Sequence, residues 1–527
     1  VLPGEPADPT HWPGHLAFAQ GGKRPKKGLP LRTWRQKLLE SNRLGHRLIL
    51  GGTERLLRQK VPDDMPAPGE ALEAVRVGVT QGMEAGLARE REAIGRLATT
   101  PACRNLIGLF FAREAARQLP AEEAAPPVRR VGVVGAGVMG AGIAQLAAFR
   151  GLEVVVQEVN EEALGAGLLR ITGLFEKAQQ RGLLSPEEAR RRLALVKGTT
   201  TWQGFDEAEV VIEAAVEDLG AKRAVFRELD ARTKPTAVLA TNTSSLPVAS
   251  LAEGLAHPER VAGLHFFNPV HKMPLVEVVR APATEEGVIA ALRRLTVHLN
   301  KTPVVVKDSP GFVVNRVLMP YLHEAVLLVA EGLDIEDVDR TMRRFGMPMG
   351  PLELLDQVGL DVAAHVARAV RPVFEKRFPP GDALERMRDC RWLGQKNGVG
   401  FYRYQGKKRV ANEAALPVLR PEKPLPSVTA TLPPTARAQE ARERMVLLMV
   451  NEAALCLAEG LAADAASIDL AMVLGTGWAP HRGGPLRYAE DRGPADVVRR
   501  LTELAGRLGP RFEPCEELRR RAAPPAR

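Results

Sequence analysis

Seven short runs of apolar residues alternate with longer amphipathic segments between Arg129 and Lys307. The runs occupy 131–134, 154–156, 210–212, 238–240, 261–267, 275–279 and 304–306. Such alternation predicts a mostly parallel β-sheet covered by helices, an α/β domain of the Rossmann type. A long polar stretch at 161–195 predicts a helical insertion between the second and third strands.

The segments on both sides of this alternating region have helical patterns. Residues 1–120 are rich in Ala, Glu and Arg, and the pattern becomes helical again after Pro310. Proline-rich stretches at 121–127 and 406–435 predict linkers. We therefore expect a helical N-terminal region at 1–120, a Rossmann domain at 128–308, and all-α C-terminal domains at 309–405 and 436–527, joined by the linker at 406–435.

The two C-terminal helical segments share an ordered set of motifs. Arg316, HEA at 323–325, AEGL at 330–333, Asp339 and GPL at 350–352 recur as Arg444, NEA at 451–453, AEGL at 458–461, Asp469 and GPL at 484–486. Internal repetition of this kind indicates tandem modules derived from one unit, and such modules usually pack on each other.

Composition is that of an ordinary globular protein, with 45% apolar and 26% charged residues, which excludes wholesale disorder, collagen and coiled-coil rods. The net charge is +10, but the stretch 23–60 alone holds twelve Lys and Arg against two glutamates, which equals the whole surplus. This stretch is either a solvated helical face, a surface for a polyanionic ligand, or a contact for acidic lipid or protein. Because Trp34 is its only aromatic residue, nucleic acid is a poor candidate.

Two further features limit the class of protein. The uncharged run 131–149 is long enough to suggest a membrane span, but its five glycines and its β-type start argue against one. The four cysteines are too scattered for a disulfide framework or a Cys-x-x-Cys metal site, which indicates a reducing compartment. We expect neither an integral membrane segment nor a metal centre.

The first predicted strand runs into a G-x-G-x-x-G motif. Gly135 suits the tight turn, Gly137 allows the backbone to approach a pyrophosphate, and Gly140 allows close packing of helix and strand. Glu158 stands eighteen residues after Gly140, at the end of the second strand, where a carboxylate accepts ribose hydroxyls and repels a 2′-phosphate. The pattern favours NAD over NADP. FAD and a glycine turn that only packs a helix on a sheet are the alternatives.

The segment 261–279 carries the candidate chemistry. Two apolar runs flank a proline-bounded turn that can bring His265 and Glu277 onto neighbouring strands. A carboxylate beside a histidine fixes its tautomer and raises its basicity, which suits the removal of a hydroxyl proton. The alternative for a lone histidine is a satisfied residue of the core. His271 and Lys272 in the turn are either surface residues or contacts to the substrate.

Six motifs together resemble the L-3-hydroxyacyl-CoA dehydrogenases. They are EAAVEDLGAK at 213–222, TNTSSL at 241–246, HFFNP at 265–269, KDSPGFVVNR at 307–316, MGPLELLDQVGLD at 349–361 and GQKNGVGFY at 394–402. The likeness runs in order from Arg129 to the C-terminus. The repeated helical region and the N-terminal extension resemble the multifunctional α subunit of fatty-acid β-oxidation complexes.

The resemblance implies a role for each matching residue. His265 would be the general base, Glu277 its orienting carboxylate, and Ser244 with Asn315 would bind the substrate oxygen. The implied NAD-binding residues are Gly135, Gly137, Val138, Met139, Gly140, Glu158, Glu217, Lys222, Asn242, Ser244 and Asn268. As alternatives, Ser244 is a helix N-cap, Asn315 a turn or cap residue, and Glu217 with Lys222 a surface pair without contact.

The activity implied is NAD-dependent oxidation of L-3-hydroxyacyl-CoA to 3-oxoacyl-CoA in β-oxidation. The implied partners are an acyl-CoA substrate, a thiolase β subunit and further copies of the chain. The compartment would be a bacterial cytoplasm, with a mitochondrial location left open because the chain begins at Val1.

The stretch 21–118 resembles only the last helices of an enoyl-CoA hydratase of the crotonase fold. No paired carboxylate motif accompanies its glycine pairs at 21–22 and 51–52, so we expect no hydration site. The alternative functions are a non-catalytic thiolase-binding scaffold, a multifunctional enzyme whose hydratase half lies outside this chain, and a dehydrogenase of free hydroxy acids.

Overall fold

The computed structural model describes residues 42–62, 64–119, 128–374, 377–378, 382–406, 408–419 and 429–523. The chain divides into two compact units, Val1–Gly95 and Arg96–Arg527. The predicted linker at 121–127 and the first part of the basic stretch, 23–41, lie outside the described residues.

The described part of the first unit is helical. Helices α1 (Arg43–Lys60), α2 (Ala67–Gln81) and α3 (Met83–Ala98) follow one another, and the Asn42 side chain caps α1 by accepting from the Gly45 N–H at 2.8 Å. Salt bridges connect the helices, from Arg76 to Glu54 at 2.9 Å and from Arg89 to Glu70 at 2.5 Å. Large apolar side chains such as Leu44 and Met83 stay exposed, whereas Ala93 of α3 is buried.

The second unit contains the sheet and most of the helices. Its strands are β1 (Arg130–Val134), β2 (Glu153–Gln157), β3 (Val196–Thr199), β4 (Val210–Glu213), β5 (Val238–Thr241), β6 (Val261–Phe266), β7 (Leu275–Arg280), β8 (Thr302–Lys307), β9 (Tyr402–Gln405) and β10 (Lys408–Ala411). Its helices up to β8 are α4 (Pro101–Arg117), α5 (Val138–Phe149), α6 (Glu161–Gln180), α7 (Pro186–Leu193), α8 (Leu219–Arg232), α9 (Val248–Ala252) and α10 (Glu286–His298). Beyond β8 the helices are α11 (Val314–Ala330), α12 (Ile335–Phe345), α13 (Pro351–Val358), α14 (Leu360–Phe374), α15 (Ala383–Asp389), α16 (Ala415–Leu419), α17 (Pro434–Ala458), α18 (Ala465–Thr476), α19 (Pro485–Arg492), α20 (Pro494–Leu508) and α21 (Glu516–Ala522).

Eight of these strands form one sheet in the order β3-β2-β1-β4-β5-β6-β7-β8 within the described residues. Neighbouring strands are parallel except β6 and β7, which are antiparallel. The predicted parallel sheet with flanking helices is confirmed. The carboxyl ends of β1, β2, β4, β5 and β6 therefore lie along one edge of the sheet, where ligands bind in open α/β folds.

The uncharged run 131–149 is divided between β1, a glycine turn and α5. Helix α5 is buried on nearly every side, from Gly140 to Ala148, because α6 covers the face that the sheet leaves free. This burial accounts for its high apolar content. No helix within the described ranges is long and apolar enough to cross a membrane.

The predicted helical insertion at 161–195 consists of two helices. Helix α6 ends at Gln180, and a capping box between Ser185 and Glu188 begins α7. Strand β3 then joins the edge of the sheet beside β2. Its sequence, VKGT, holds one large apolar residue and is half exposed, so the period of a buried strand is absent.

Helix α4 packs with the second unit, although the sequence pattern places it in the N-terminal region 1–120. Asn105, which is 4% exposed, donates from its amide to the His481 carbonyl at 3.1 Å and to Asp491 at 2.8 Å. Arg117 donates to the Lys301 carbonyl at 2.7 Å. Buried polar contacts, which sequence periodicity does not register, attach this helix to the C-terminal region.

The two C-terminal segments pack through α11 and α17. Arg316 of α11 binds Glu452 at 2.8 Å and Glu459 at 2.5 Å. Arg444 of α17 binds Glu324 at 2.5 Å, and it also binds Glu331. Each arginine therefore pairs with the two glutamates that stand eight and fifteen positions after the other arginine.

The predicted linker 406–435 contains regular structure in its described part. Strand β10 pairs with β9 in an antiparallel hairpin, and α16 buries Ala415 and Leu419. Residues 407 and 420–428 lie outside the described residues. The Pro and Lys content of this stretch obscures a short strand and helix that cover the first module.

Candidate active site

The glycine turn after β1 has the geometry of a dinucleotide cradle. Gly135 has φ +90°, a left-handed conformation that favours glycine. A Cβ on Gly140 would lie 1.9 Å from the Gly135 carbonyl oxygen, so only glycine allows this approach of helix to turn. Gly137 is the N-cap of α5 and leaves the first-turn N–H groups of Val138 and Met139 available for an anion.

Glu158 lies where the sequence predicts it, just after β2. Its carboxylate accepts the Ala136 N–H at 2.6 Å and the Val159 N–H at 3.1 Å, so it sits against the glycine turn. Arg170 of α6 donates to the Ala136 carbonyl at 3.3 Å. Sequence reasoning misses Arg170 because it stands twelve residues after Glu158, and only the packing of α6 on the turn brings it near.

His265 and Glu277 face each other directly on β6 and β7. The two residues are register partners, and His265 Nδ1 lies 2.8 Å from Glu277 Oε2. The other oxygen of Glu277 accepts the Val313 N–H at 3.1 Å and the Val314 N–H at 3.0 Å. The carboxylate is thus held by the histidine and by the N-terminus of α11, where the helix dipole favours negative charge.

Aromatic rings enclose the His265 imidazole, whose residue is 5% exposed. The ring of Phe267 lies 4.5 Å from it and that of Phe312 lies 5.6 Å from it, measured between centroids. Phe312 has φ +50°, which is uncommon for a bulky residue and typical of functional sites. Nothing in the sequence around Phe312 predicts its contact with His265.

Glu217 is the centre of a hydrogen-bond cluster after β5. It accepts from the Thr243 hydroxyl at 2.6 Å, the Ser244 N–H at 2.9 Å and the Ser245 hydroxyl at 3.0 Å. Burial acts to raise the pKa of Glu217, but the Lys222 ammonium and these hydrogen bonds outweigh it and hold that pKa below its ordinary value. The site therefore keeps a carboxylate here.

Lys222 holds this cluster from the interior of the domain. Its ammonium lies 2.7 Å from Glu213 and 3.3 Å from Glu217, and its side chain is 1% exposed. Glu213 also accepts the Thr241 hydroxyl at 2.7 Å. The alternative of a surface Glu217–Lys222 pair without contact is therefore wrong, because the first turn of α8 points Lys222 into the domain.

The remaining predicted site residues join the sheet edge to α11. Asn315 donates from Nδ2 to the Ser244 carbonyl at 3.2 Å, and Asn242 accepts the Phe266 N–H at 2.9 Å. Ser244 is not the cap of α9, which begins after Pro247. Asn268 lies in the turn between β6 and β7, ahead of a cis bond to Pro269.

Two residues outside the predicted set fix the surrounding loops. Lys301 donates from its ammonium to the carbonyls of Val270 and Met273, at 2.5 and 2.7 Å, and so holds the turn that carries Asn268. Burial, with the nearby Arg150 charge, lowers the pKa of Lys301 to about 8. Asp308 accepts the first N–H groups of α9, from Val248 and Ala249.

The family "3-hydroxyacyl-CoA dehydrogenase, NAD binding domain" matches residues 130–309, and "3-hydroxyacyl-CoA dehydrogenase, C-terminal domain" matches residues 311–404. The solved 3-hydroxybutyryl-CoA dehydrogenase from Escherichia coli is 31% identical, with a TM-score of 0.65; the match covers 75% of this chain and 98% of that one. The chain belongs to the 3-hydroxyacyl-CoA dehydrogenase family.

Two other solved structures show how far this likeness extends. Mycobacterium tuberculosis FadB2 is 43% identical over 53% of this dehydrogenase and 100% of its own chain, with a TM-score of 0.52. The dehydrogenase part of multifunctional enzyme 1 from Caenorhabditis elegans covers 79% of this chain and 98% of its own, at 24% identity and a TM-score of 0.56, and shows a shared fold.

The dehydrogenase is an NAD-dependent oxidoreductase. The residues present fit this cofactor, because the cradle of the glycine turn and the α5 N-terminus suit a pyrophosphate, and Glu158 lies at the position that binds an adenosine ribose. Among the described residues, no group of three or more His, Cys, Asp or Glu side chains is arranged to hold a metal ion.

Proposed function

We propose that this dehydrogenase oxidises L-3-hydroxyacyl-CoA thioesters to 3-oxoacyl-CoA in fatty-acid β-oxidation, with His265 as the general base. The observation that carries the proposal is the buried His265–Glu277 pair at 2.8 Å, on the sheet edge that also holds the glycine turn. The name of the Escherichia coli relative supports the substrate class, a coenzyme A thioester.

The His265–Glu277 geometry assigns the proton. Nδ1 of His265 donates to Glu277, which leaves Nε2 as the nitrogen that takes the substrate hydroxyl proton. Bound NAD⁺ supplies the hydride acceptor. Since the imidazole becomes cationic as it takes the proton, the Glu277 carboxylate stabilises it in place, and the rings of Phe267 and Phe312 keep water away.

The cluster around Glu217 is proposed to position the reacting carbon. The Ser244 hydroxyl and Asn315 would bind the substrate oxygen, supported by the bond from Asn315 to the Ser244 carbonyl. Glu217 and Asn268 would face the nicotinamide ribose. Lys222 is too buried to contact the cofactor directly and acts through Glu217.

The test compares acetoacetyl-CoA reduction by NADH with that by NADPH, and with reduction of free acetoacetate. We expect the NADH and thioester combination to be strongly preferred. Equal use of the free acid would favour a hydroxy-acid dehydrogenase. Such an enzyme needs a Lys or Arg to bind the substrate carboxylate, and Lys272 is the one such residue in the segment 261–279. No reduction of either would favour a thiolase-binding scaffold.

His265→Gln tests the base directly. We expect turnover to fall about 10²-fold or more with little change in NAD affinity, since general bases contribute on that scale. His298→Gln is the matched control, because His298 is an exposed histidine in the last turn of α10. Equal losses of turnover and NAD affinity in His265→Gln would indicate a folding defect rather than a lost base.

The two C-terminal modules are proposed to derive from one duplicated unit. The reciprocal arginine and glutamate pairs support this, as do Asp339 and Asp469, each of which accepts two N–H groups in the first turn of the helix that begins within its GPL motif. Association with a thiolase and self-association stay predictions from the resemblance.

For the N-terminal helices we propose descent from a hydratase region. A chain of this length should not hydrate crotonyl-CoA. Robust hydration by the purified chain would refute that assignment.

A further inference from the structure

The first helical module contains an apolar cavity of about 340 Å³. Helices α11, α14 and α15 line it, with side chains that include Met319, Leu322, Val326, Val370 and Phe374. The volume falls in the lower part of the range of small-molecule sites, and such sites are mostly apolar. Its charged members are Arg368, Arg371 and Glu385. Arg368 and Glu385 pair at 3.1 Å and are about half exposed, and Arg371 is exposed, so the three form a polar rim.

The cavity shares helix α11 with the active site. Asn315, in the first turn of α11, contacts Ser244, while Met319 lies one turn further along the same helix. At a rise of 1.5 Å per residue, roughly 6 Å along the axis separates Asn315 from Met319, and roughly 17 Å separates it from Val326. Residues four and seven or eight positions apart lie on one helix face. The cavity wall thus continues the face that begins at the site.

The polar groups that line the interior of the cavity do not require a charged ligand. His323 lines the wall with its ring 5.6 Å from that of Phe378, edge to face. Its buried Nε2 has no hydrogen-bond partner among the described residues. Burial lowers the pKa of His323, so the ring is neutral at pH 7 and adds aromatic surface to the wall.

We propose that this cavity holds the hydrocarbon tail of the acyl thioester and makes the dehydrogenase selective for medium-length over four-carbon chains. The inference rests on the proposed function and adds the location of the acyl tail. A four-carbon acyl group ends near Asn315, whereas longer chains pass Met319 and bury methylenes against α11 and α14. Each methylene buried there should raise kcat/KM about fourfold.

The experiment measures kcat/KM with NADH for 3-oxoacyl-CoA substrates of four, six, eight, ten and twelve carbons. We expect kcat/KM for the ten-carbon substrate to exceed that for acetoacetyl-CoA at least tenfold. A flat profile with active acetoacetyl-CoA reduction would overturn the acyl-tail site and leave the proposed function intact. Absence of activity with every thioester would instead refute the proposed function.

Two alanines of α14 provide a matched pair of variants. Ala367 lines the cavity and Ala369 does not, and both are half-buried. Ala367→Phe fills the cavity and should reduce the ratio of ten-carbon to four-carbon kcat/KM at least tenfold, whereas Ala369→Phe should keep that ratio at the wild-type value. Equal ratios in the two variants would overturn the proposal.

A cavity-enlarging variant provides an independent check should Ala367→Phe fail to fold. Leu327 lines the cavity on α11, and Leu327→Ala removes wall volume without adding bulk. We expect the best chain length to increase by two or more carbons. An unchanged optimum would count against the acyl-tail site.

Discussion

Replacing Glu277 by glutamine tests how the carboxylate controls the base. Glu277 accepts three N–H groups, from His265 and from the backbone of Val313 and Val314. A glutamine has one acceptor oxygen, and two backbone donors compete for it with one imidazole donor. We therefore expect the amide oxygen to face Val313 and Val314 and the amide NH₂ group to face His265. The NH₂ group then donates to Nδ1, so the single proton of the neutral imidazole lies on Nε2. A protonated Nε2 cannot accept the substrate proton.

The expected result for Glu277→Gln is a fall in kcat of about 10²- to 10³-fold, within the range for loss of a general base. Loss of charge on the acceptor should also lower the free energy of unfolding by about 2–3 kcal/mol. NAD affinity should stay unchanged. Stopped-flow acetoacetyl-CoA reduction, denaturant unfolding and NAD titration measure these three quantities.

Glu286→Gln is the matched control, because the Glu286 side chain is 74% exposed and pairs with Arg280 at the surface. It should leave kcat and NAD binding unchanged and lower the free energy of unfolding by less than about 1 kcal/mol. A variant of Glu277 that keeps more than a tenth of the wild-type kcat would refute the tautomer argument. Loss of NAD binding in parallel with kcat would also contradict it.

Three further predictions follow from buried or cofactor-facing charge. Arg444→Leu removes the arginine that Glu324 and Glu331 share, while Glu324 keeps Arg511 at 2.8 Å, and should cost about 3 kcal/mol in denaturant unfolding. Burial raises the pKa of Asp469 to about 8, so the folded state holds a proton that the unfolded state releases near pH 4. Unfolding free energy should therefore fall as pH rises from about 4 to 8, by up to about 1.4 kcal/mol per pH unit, and Asp469→Asn should flatten that slope. Glu158→Gln should raise the ratio of NADPH to NADH activity on the order of tenfold, the size of one relieved charge repulsion, as measured by initial rates.

The sheet was predictable from sequence because most of its strands are buried on both faces and appear as apolar runs. β1 and β4 are examples, with nearly every residue buried. β3 was not predictable, because its residues are half exposed or exposed and Val196 is its one large apolar residue. The boundary at residue 120 fails for α4 for a related reason, since Asn105 and Arg117 attach it through polar bonds.

The sequence predicts which residues form the candidate site better than it predicts the contacts between them. His265 and Glu277 meet because a turn between antiparallel strands places them in register, which spacing and prolines indicate. The other two contacts of the carboxylate, at Val313 and Val314, come from backbone N–H groups, which have no residue-type signal. The left-handed Phe312 beside them is likewise visible only once α11 is docked on the sheet.

One buried arginine, Arg316, links the second helical module to the first turn of α11. Asn315, which reaches the sheet edge at Ser244, is followed directly by Arg316, which binds Glu452 and Glu459 of the second module. Because Arg316 is buried, these glutamates fix the rotation of the first turn of α11. That turn also supplies the N–H groups that hold Glu277. The packing of α17 against α11 therefore bears on the turn that contacts both Ser244 and Glu277.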